Sequence, residues 1–331
     1  MRRSAMKTLR PLLRAMLNSL GLLVAVVVLN FVLIHAAPGD PAQVIAGEMG
    51  GASPRIMAQI RAEYGLDRSE GAQLIDYLDK VAHGNLGFSF YFNEPVLRLV
   101  FSRLPATMLL ILTALVLAVL IGAGLGIVSA RRPHGLLNQI VSVISIAGYA
   151  APVFWTGLML LVLFASIWPV LPVAGMDDPA YPSTGLAHIA DVAKHLVLPA
   201  TTLAIVYVAQ YSRFMRASMI EALQADYVRT ARAKGLPERR VVLKHALRNA
   251  LIPLVTIVGL QFGQIFAGAV LVETVFAWPG LGRLAFDSIL RRDYPTLLGI
   301  LLFSAILVIV ANLITDVVYR VIDPRIRTGR A

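Results

Sequence analysis

Six stretches of the chain contain no Asp, Glu, Lys or Arg and are almost wholly apolar: residues 15–34, 104–130, 133–176, 195–212, 249–272 and 294–315. A helix needs about 20 consecutive apolar residues to cross the hydrocarbon of a bilayer. The third stretch is too long for one straight helix. It predicts a helix over about 138–166, kinked or broken near Pro152, with a proline-rich exit through Pro169 and Pro172. The fifth is interrupted at Glu273, and the sixth ends at Asp316. Backbone in lipid must satisfy its own hydrogen bonds, so the pattern predicts an all-α integral membrane protein with six transmembrane helices.

Composition supports this class. Of 331 residues, 57% are hydrophobic and 15% charged, against roughly 45–50% and 25% in soluble domains. The surplus apolar surface must face lipid or other helices. Arg2, Arg3, Lys7, Arg10 and Arg14 precede the first span. That span is longer than a signal-peptide core and has no A-x-A-like site well beyond it, so it is expected to remain as a helix.

The net charge of +11 points, on such a chain, to cytoplasmic loops rather than nucleic acid. Twenty of the thirty Lys and Arg residues fall in 1–14, 131–132, 213–248 and 320–330. The positive-inside bias therefore places both termini in the cytoplasm. The expected organisation is a cytoplasmic N-terminus (1–14), a first span (15–34), an outer segment (35–103), a core with five further helices (104–322) and a cytoplasmic tail (323–331). The outer segment is mixed in charge, with short helical stretches at 54–64 and 73–81. It is large enough for a small cap at the outer mouth, not for an independent core.

The inner loop, 213–250, is basic and rich in helix formers. Ser218 with Glu221 three residues later reads as a capping box opening a helix. Met219, Leu223, Tyr227 and Thr230/Ala231 then share one face. Arg229, Arg232 and Lys234 crowd the last turn, where cations suit the helix dipole. Gly235 suits the C′ position, and Pro237 beside Glu238 suits the start of a second helix. Two short helices joined by a glycine turn make a rigid elbow that looks built to dock on a partner.

Glu221-Ala222, then Gly235, then Leu251-Ile252-Pro253, resembles the EAA loop of ABC importer permeases, with Leu223 in place of the third small residue. The string Asp226-Tyr227-Val228-Arg229-Thr230-Ala231-Arg232-Ala233-Lys234-Gly235, with His245-Ala246-Leu247-Arg248-Asn249-Ala250, is similar to the dipeptide/oligopeptide/nickel branch. Pro38-Gly39-Asp40-Pro41, Tyr64-Gly65-Leu66-Asp67, Gly84-Asn85-Leu86-Gly87-Phe88-Ser89 and Arg103-Leu104-Pro105-Ala106-Thr107 agree, as do the block 276–282, Arg292-Asp293-Tyr294-Pro295 and Asp323-Pro324-Arg325-Ile326-Arg327. Their order resembles the B-type subunit, with its long outer segment. Asn85 stands where Asp is usual, and Ala151-Pro152 where Ser-Pro is common.

The resemblance implies a type I, MetI-like permease fold in the bacterial inner membrane, passing peptides or related solutes such as nickel complexes or glutathione. It implies a C-type permease subunit as heterodimer partner, two ATPase subunits that bind ATP and Mg, and a periplasmic substrate-binding protein. Glu221, Ala222, Asp226, Tyr227, Arg229, Ala231 and Gly235 are the implied ATPase-coupling residues.

Other polar positions are weaker candidates. Glu273, Gln261 and Gln264 are pathway candidates because polar groups at membrane depth are costly. Interhelical hydrogen bonding is the alternative for the glutamines, and a structural pairing for Glu273. Gly122, Gly124 and Gly126 are expected to permit close helix contact. There is no cysteine, no H-E-x-x-H and no histidine cluster at ligand spacing, so no metal or cofactor site is expected in the chain itself. No G-x-S-x-G or Walker loop points to an enzyme. An ion-driven secondary transporter would favour mid-span carboxylates and inverted repeats, and neither is evident.

Overall fold

A computed structural model of the chain describes residues 2–36, 67–131, 135–180 and 184–322, with 54, 55, 58 and 61. The Pro38-Gly39-Asp40-Pro41 block, seven of the eleven residues of the expected helix at 54–64, Arg132 and the tail 323–331 lie outside those residues. The chain folds as two compact units, Met1–Pro105 with Leu284–Leu313, and Ala106–Arg283 with Ile314–Ala331.

The elements run in order as helices α1 (Arg2–Ala36) and α2 (Glu70–Ala82), strands β1 (Phe88–Ser89) and β2 (Glu94–Pro95), and helices α3 (Val96–Arg131), α4 (Leu136–Ala150) and α5 (Val153–Leu161). A π-helical turn, Val162–Ile167, extends α5. There follow α6 (Leu186–Gln224), α7 (Asp226–Ala233), the three-residue α8 (Glu238–Arg240), a second π-helical turn (Val241–Ala246), α9 (Leu247–Leu260), α10 (Phe262–Val275), α11 (Leu281–Arg291) and α12 (Tyr294–Ile322). Among the described residues, α3, α6, the run Glu238–Leu260 and the stretch Tyr294–Thr315 are each long and apolar enough to cross a bilayer. The pair α4 and α5 makes a fifth if taken as one bent span; Leu17–Leu33 and Phe262–Val275 are shorter apolar helices.

In the first unit, β1 and β2 pair antiparallel, Phe88 with Pro95 and Ser89 with Glu94. Buried Asn30 donates from its side-chain amide to the Leu298 carbonyl, 3.2 Å away, tying α1 to α12. His35 Nε2 and Gln73 Oε1, 3.0 Å apart, join α1 to α2. Asp293 is fully buried and caps α12: it accepts from the Thr296 amide at 3.1 Å and the Thr296 hydroxyl at 2.6 Å. Ser89 reaches the same carboxylate at 2.6 Å, fixing the hairpin to that cap.

In the second unit, α6 is the central helix, with α4, α5, α9 and α10 all packed against it. Gly122 and Gly126, one turn apart on α3, meet the α6 backbone. A Cβ at Gly126 would lie 2.6 Å from the Met215 Cβ and 2.7 Å from the Ser212 carbonyl oxygen. This is the small-xxx-small contact by which helices approach closely without a hydrophobic driving force. Gly124 points into open space instead.

Two expectations are corrected, the continuity of the fifth span and a helix start at Ser218. The third span, expected to be kinked or broken near Pro152, is broken there into two helices bent by 105°. Proline drives the preceding residue out of the helical region, and Ala151 is extended, at φ −73° and ψ 131°. The fifth span is not continuous: α9 and α10 meet at Gln261, whose φ of −91° and ψ of −3° interrupt the helix. Ser218 opens no helix. The run from 213 to 224 contains no breaking residue, so α6 passes straight through Ser218 and Glu221 and ends at Gln224. The new helix starts at Asp226, after extended Ala225, without a side-chain cap. The break also changes the face: Val228 and Ala231 are buried, whereas Tyr227 is 41% exposed.

Candidate functional site

The elbow is built around α7. Asp226 occupies its first turn, where a carboxylate complements the N-terminal dipole. Arg229 lies one turn on, with its guanidinium 3.5 Å from that carboxylate. At the other end Gly235 takes φ +73°. Its amide donates to the Arg232 carbonyl at 2.9 Å, and the Leu236 amide donates to the Ala231 carbonyl at 3.3 Å. This paired closure is the Schellman stop, and only glycine takes its left-handed position without a Cβ penalty.

Arg232 joins three segments. Its guanidinium forks onto Glu238, Nη2 to Oε1 at 2.8 Å and Nε to Oε2 at 3.2 Å, across the glycine turn. Its Nη1 also reaches the Leu223 carbonyl at the end of α6, 3.5 Å away. The Arg232 hydrogen bonds hold the Glu238 carboxyl below its usual range. Both side chains are substantially exposed, so the pair fixes geometry more than it adds stability.

The coupling candidates therefore come together in one place. Ala222, Val228 and Ala231 form the buried inner side, and α7 packs on the second π-helical turn, whose Val241, Val242 and Ala246 are also buried. Glu221, Asp226, Tyr227, Arg229 and Gly235 are exposed. The result is a short helix held from behind, with an aromatic and charged outer face. Arg232 and Glu238 are the pair that motif reading passes over; their sequence signal is an arginine six residues before an acid, spanning a Gly-x-Pro turn.

The three pathway candidates are not gathered. Glu273 is fully buried near the end of α10. It accepts from the Thr107 hydroxyl at 2.7 Å on one oxygen, and from the Gly282 and Arg283 amides at 2.6 and 3.1 Å on the other. Thr107 in turn accepts the Leu281 amide at 2.7 Å. The first three amides of α11 are thus satisfied by side chains from α3 and α10, at the helix end that attracts negative charge. Trp278, fully buried, adds a 2.8 Å bond from its indole to the Ala106 carbonyl. A Cβ at Gly280 would collide with the Glu273 carboxylate, so the chain can close over it only as glycine. Gln264 is exposed and nine residues back, on the opposite side of α10 at 100° per residue. Gln261 is buried at the α9–α10 break, its Oε1 without a hydrogen-bond partner among the described residues.

Among the described residues, no three His, Cys, Asp or Glu side chains are grouped so as to hold a metal ion.

Comparison with known proteins agrees with this architecture. Residues 122–328 match the family model described as binding-protein-dependent transport system inner membrane component, and residues 8–111 match its N-terminal companion. The chain is 39% identical to the dipeptide transport system permease protein DppB of Escherichia coli (strain K12), covering 96% of this chain and 99% of that one. It is 42% identical to the di/tripeptide transport system permease protein DppB of Pseudomonas aeruginosa (strain UCBPP-PA14), over 94% and 98% of the two chains. To the oligopeptide transport system permease protein AppB of Bacillus subtilis (strain 168) the identity is 38%, over 95% and 98%. In fold it is similar to a chain of the inward-facing MetNI methionine ABC transporter, with a TM-score of 0.55 at 17% identity, covering 68% of this chain and 96% of that one. A MetI-like helical core joined to near-full-length likeness to these permeases settles the family: the chain belongs to the inner-membrane components of binding-protein-dependent transport systems, with the dipeptide and oligopeptide ABC permease subunits.

Proposed function

We propose that the chain is half of the membrane pathway of a peptide importer, and that Asp226–Gly235 is the helix through which a cytoplasmic ATPase drives it. The elbow's geometry is the main support. A short helix braced from behind by buried Val228 and Ala231 and stopped by Gly235 moves as a unit, as elements transmitting conformational change do. Its outer face offers Tyr227 and Arg229 to a groove. Short peptides are the proposed substrates because the relatives named above are dipeptide, di/tripeptide and oligopeptide permeases.

The proposed assembly adds a C-type permease subunit, two ATPase subunits that carry ATP and Mg, and a periplasmic binding protein seated on the outer segment. Six crossings with both termini in the cytoplasm follow from the Lys and Arg distribution and put the elbow on the ATPase side. Exposed Gln264 is the proposed pathway contact on α10. Glu273, saturated by Thr107 and the first amides of α11, is proposed as the strut that positions α10 against the start of α11.

The chain has no cysteine, so Tyr227→Cys gives a unique thiol. In membranes that also hold the partner subunits, a thiol cross-linker should join it to the ATPase, with a yield that changes with ATP. Normal dipeptide uptake with no ATPase adduct would remove the elbow from its assigned role. A reporter fused after Arg330 should behave as cytoplasmic; its export would overturn the topology.

A further inference from the structure

Gln261 sits at the middle of the charge-free stretch 249–272, where α9 stops and α10 begins. Its amide closes α9 on the Ile257 carbonyl at 3.1 Å, and its carbonyl opens α10 by accepting the Gln264 and Ile265 amides at 3.0 Å. The Phe262 and Gly263 amides come before that new ladder, and neither has a hydrogen-bond partner among the described residues. Backbone interrupted at membrane depth is tolerated only where it is buried in protein or lines a polar space. From this break we infer a subsite for the C-terminal residue of a peptide in transit, an inference that rests on the peptide-importer reading above.

A second feature points to a ligand. Gln261 is 8% exposed, and its side-chain Oε1 is buried with no hydrogen-bond partner among the described residues. A buried acceptor left unmet is unfavourable, so a ligand that donates to it offsets that cost on binding. Gln264, one turn on, is exposed. An amide turned to hydrocarbon is costly, so this face of α10 is turned from lipid, toward the pathway proposed to be shared with the partner subunit. Gly263, between the two glutamines, has no side chain to screen the open amides.

The chemistry of the break selects the ligand. The start of α10 favours negative charge and presents N–H groups, the arrangement that holds carboxylates and phosphates. Beside it stands an acceptor without a donor. The last residue of a peptide carries both counterparts: a carboxylate and, one Cα away, the N–H of the final peptide bond. A phosphate or a fatty acid brings the anion without the donor. Main-chain groups do not vary with side chains, so this subsite passes peptides of differing sequence. A C-terminal proline, which has no N–H, forgoes the Gln261 contact.

The test uses membrane vesicles that hold the full-length chain with its partner subunits and a saturating excess of binding protein, and compares uptake of Ala-Ala and Ala-Pro. The binding protein is the same throughout, so its own preference cancels when a variant is compared with wild type. Gln261→Met keeps the side chain's length and removes the acceptor. It should lower Ala-Ala uptake about fivefold, the weight of one hydrogen bond in a dry site, and leave Ala-Pro within about twofold. Gln261→Asn keeps the amide but draws it back by one methylene; it should shift the ratio the same way, and covers a Gln261→Met chain that does not fold. A lower folded yield moves both peptides alike and leaves their ratio untouched. A wild-type ratio in both variants, with or without an equal loss of the two peptides, overturns the subsite and leaves the peptide reading standing. Absence of uptake of either peptide by wild type overturns the peptide reading, and the subsite with it.

Discussion

Thr107 donates to Glu273 across 166 residues of sequence, at 2.7 Å, and the same hydroxyl accepts the Leu281 amide at 2.7 Å. One buried threonine therefore carries both the charge and the helix start that the charge caps. Removing the carboxylate in Glu273→Ala strands three donors, each costing about 1–3 kcal/mol. Glu273→Gln keeps the shape but turns an N–H toward donors. Both variants should lower the melting temperature, Glu273→Ala more, as read by tryptophan fluorescence in detergent. Unchanged melting with lost uptake would instead make Glu273 a pathway residue.

Asp293 stands to α12 as Glu273 stands to α11. Asp293→Ala removes the acceptor of Ser89 and of both Thr296 donors, and should cost about 2 kcal/mol or more. Ser89→Ala should cost about 1 kcal/mol. Because the two share one bond, the double variant should be more stable than the sum of the singles predicts. Strict additivity in thermal unfolding would refute the coupling.

These pairings mark the limit of what the sequence discloses. The blocks that hold Ser89, Asp293 and Thr107 are legible as motifs and Glu273 as a costly polar group in a span, but nothing in linear spacing says which meets which. Helix location was legible because lipid allows only apolar runs, and the stop at Gly235 because few residues take positive φ. The start of the elbow was not. Ser218 with Glu221 has capping-box chemistry, yet a serine within a run of helix formers carries no obligation to break it, and the break came at Ala225, which has no capping side chain. Gln261 likewise gives no local signal for the interruption between α9 and α10.

Two glycines on one helix should respond in opposite ways. Gly124→Ala meets nothing within 4 Å and should stabilise by roughly 0.5–1 kcal/mol, the ordinary helix-interior gain. Gly126→Ala drives a methyl into the Ser212 carbonyl and the Met215 Cβ. It should separate α3 from α6 and lower folded yield. Equal yields by fluorescence-detected size exclusion would disprove the close contact.

The elbow gives the most direct test of coupling. Gly235→Val places a β-branched residue at φ +73°, straining the turn by about 1 kcal/mol or more. The elbow is exposed and joined to α6 and to the second π-helical turn through its buried side, so the variant should still insert and fold. Uptake should fall sharply, because the orientation of α7 depends on that turn. Arg232→Glu should act on the same orientation by breaking the fork to Glu238, and Arg232→Glu with Glu238→Arg should recover part of the uptake by rebuilding it in reverse. A loop that only sets topology would tolerate all three, since none alters the positive balance enough to invert the chain. Wild-type uptake and ATPase stimulation by Gly235→Val at normal expression would defeat the coupling assignment; failure of the charge swap to improve on Arg232→Glu would remove the Arg232–Glu238 bridge from it.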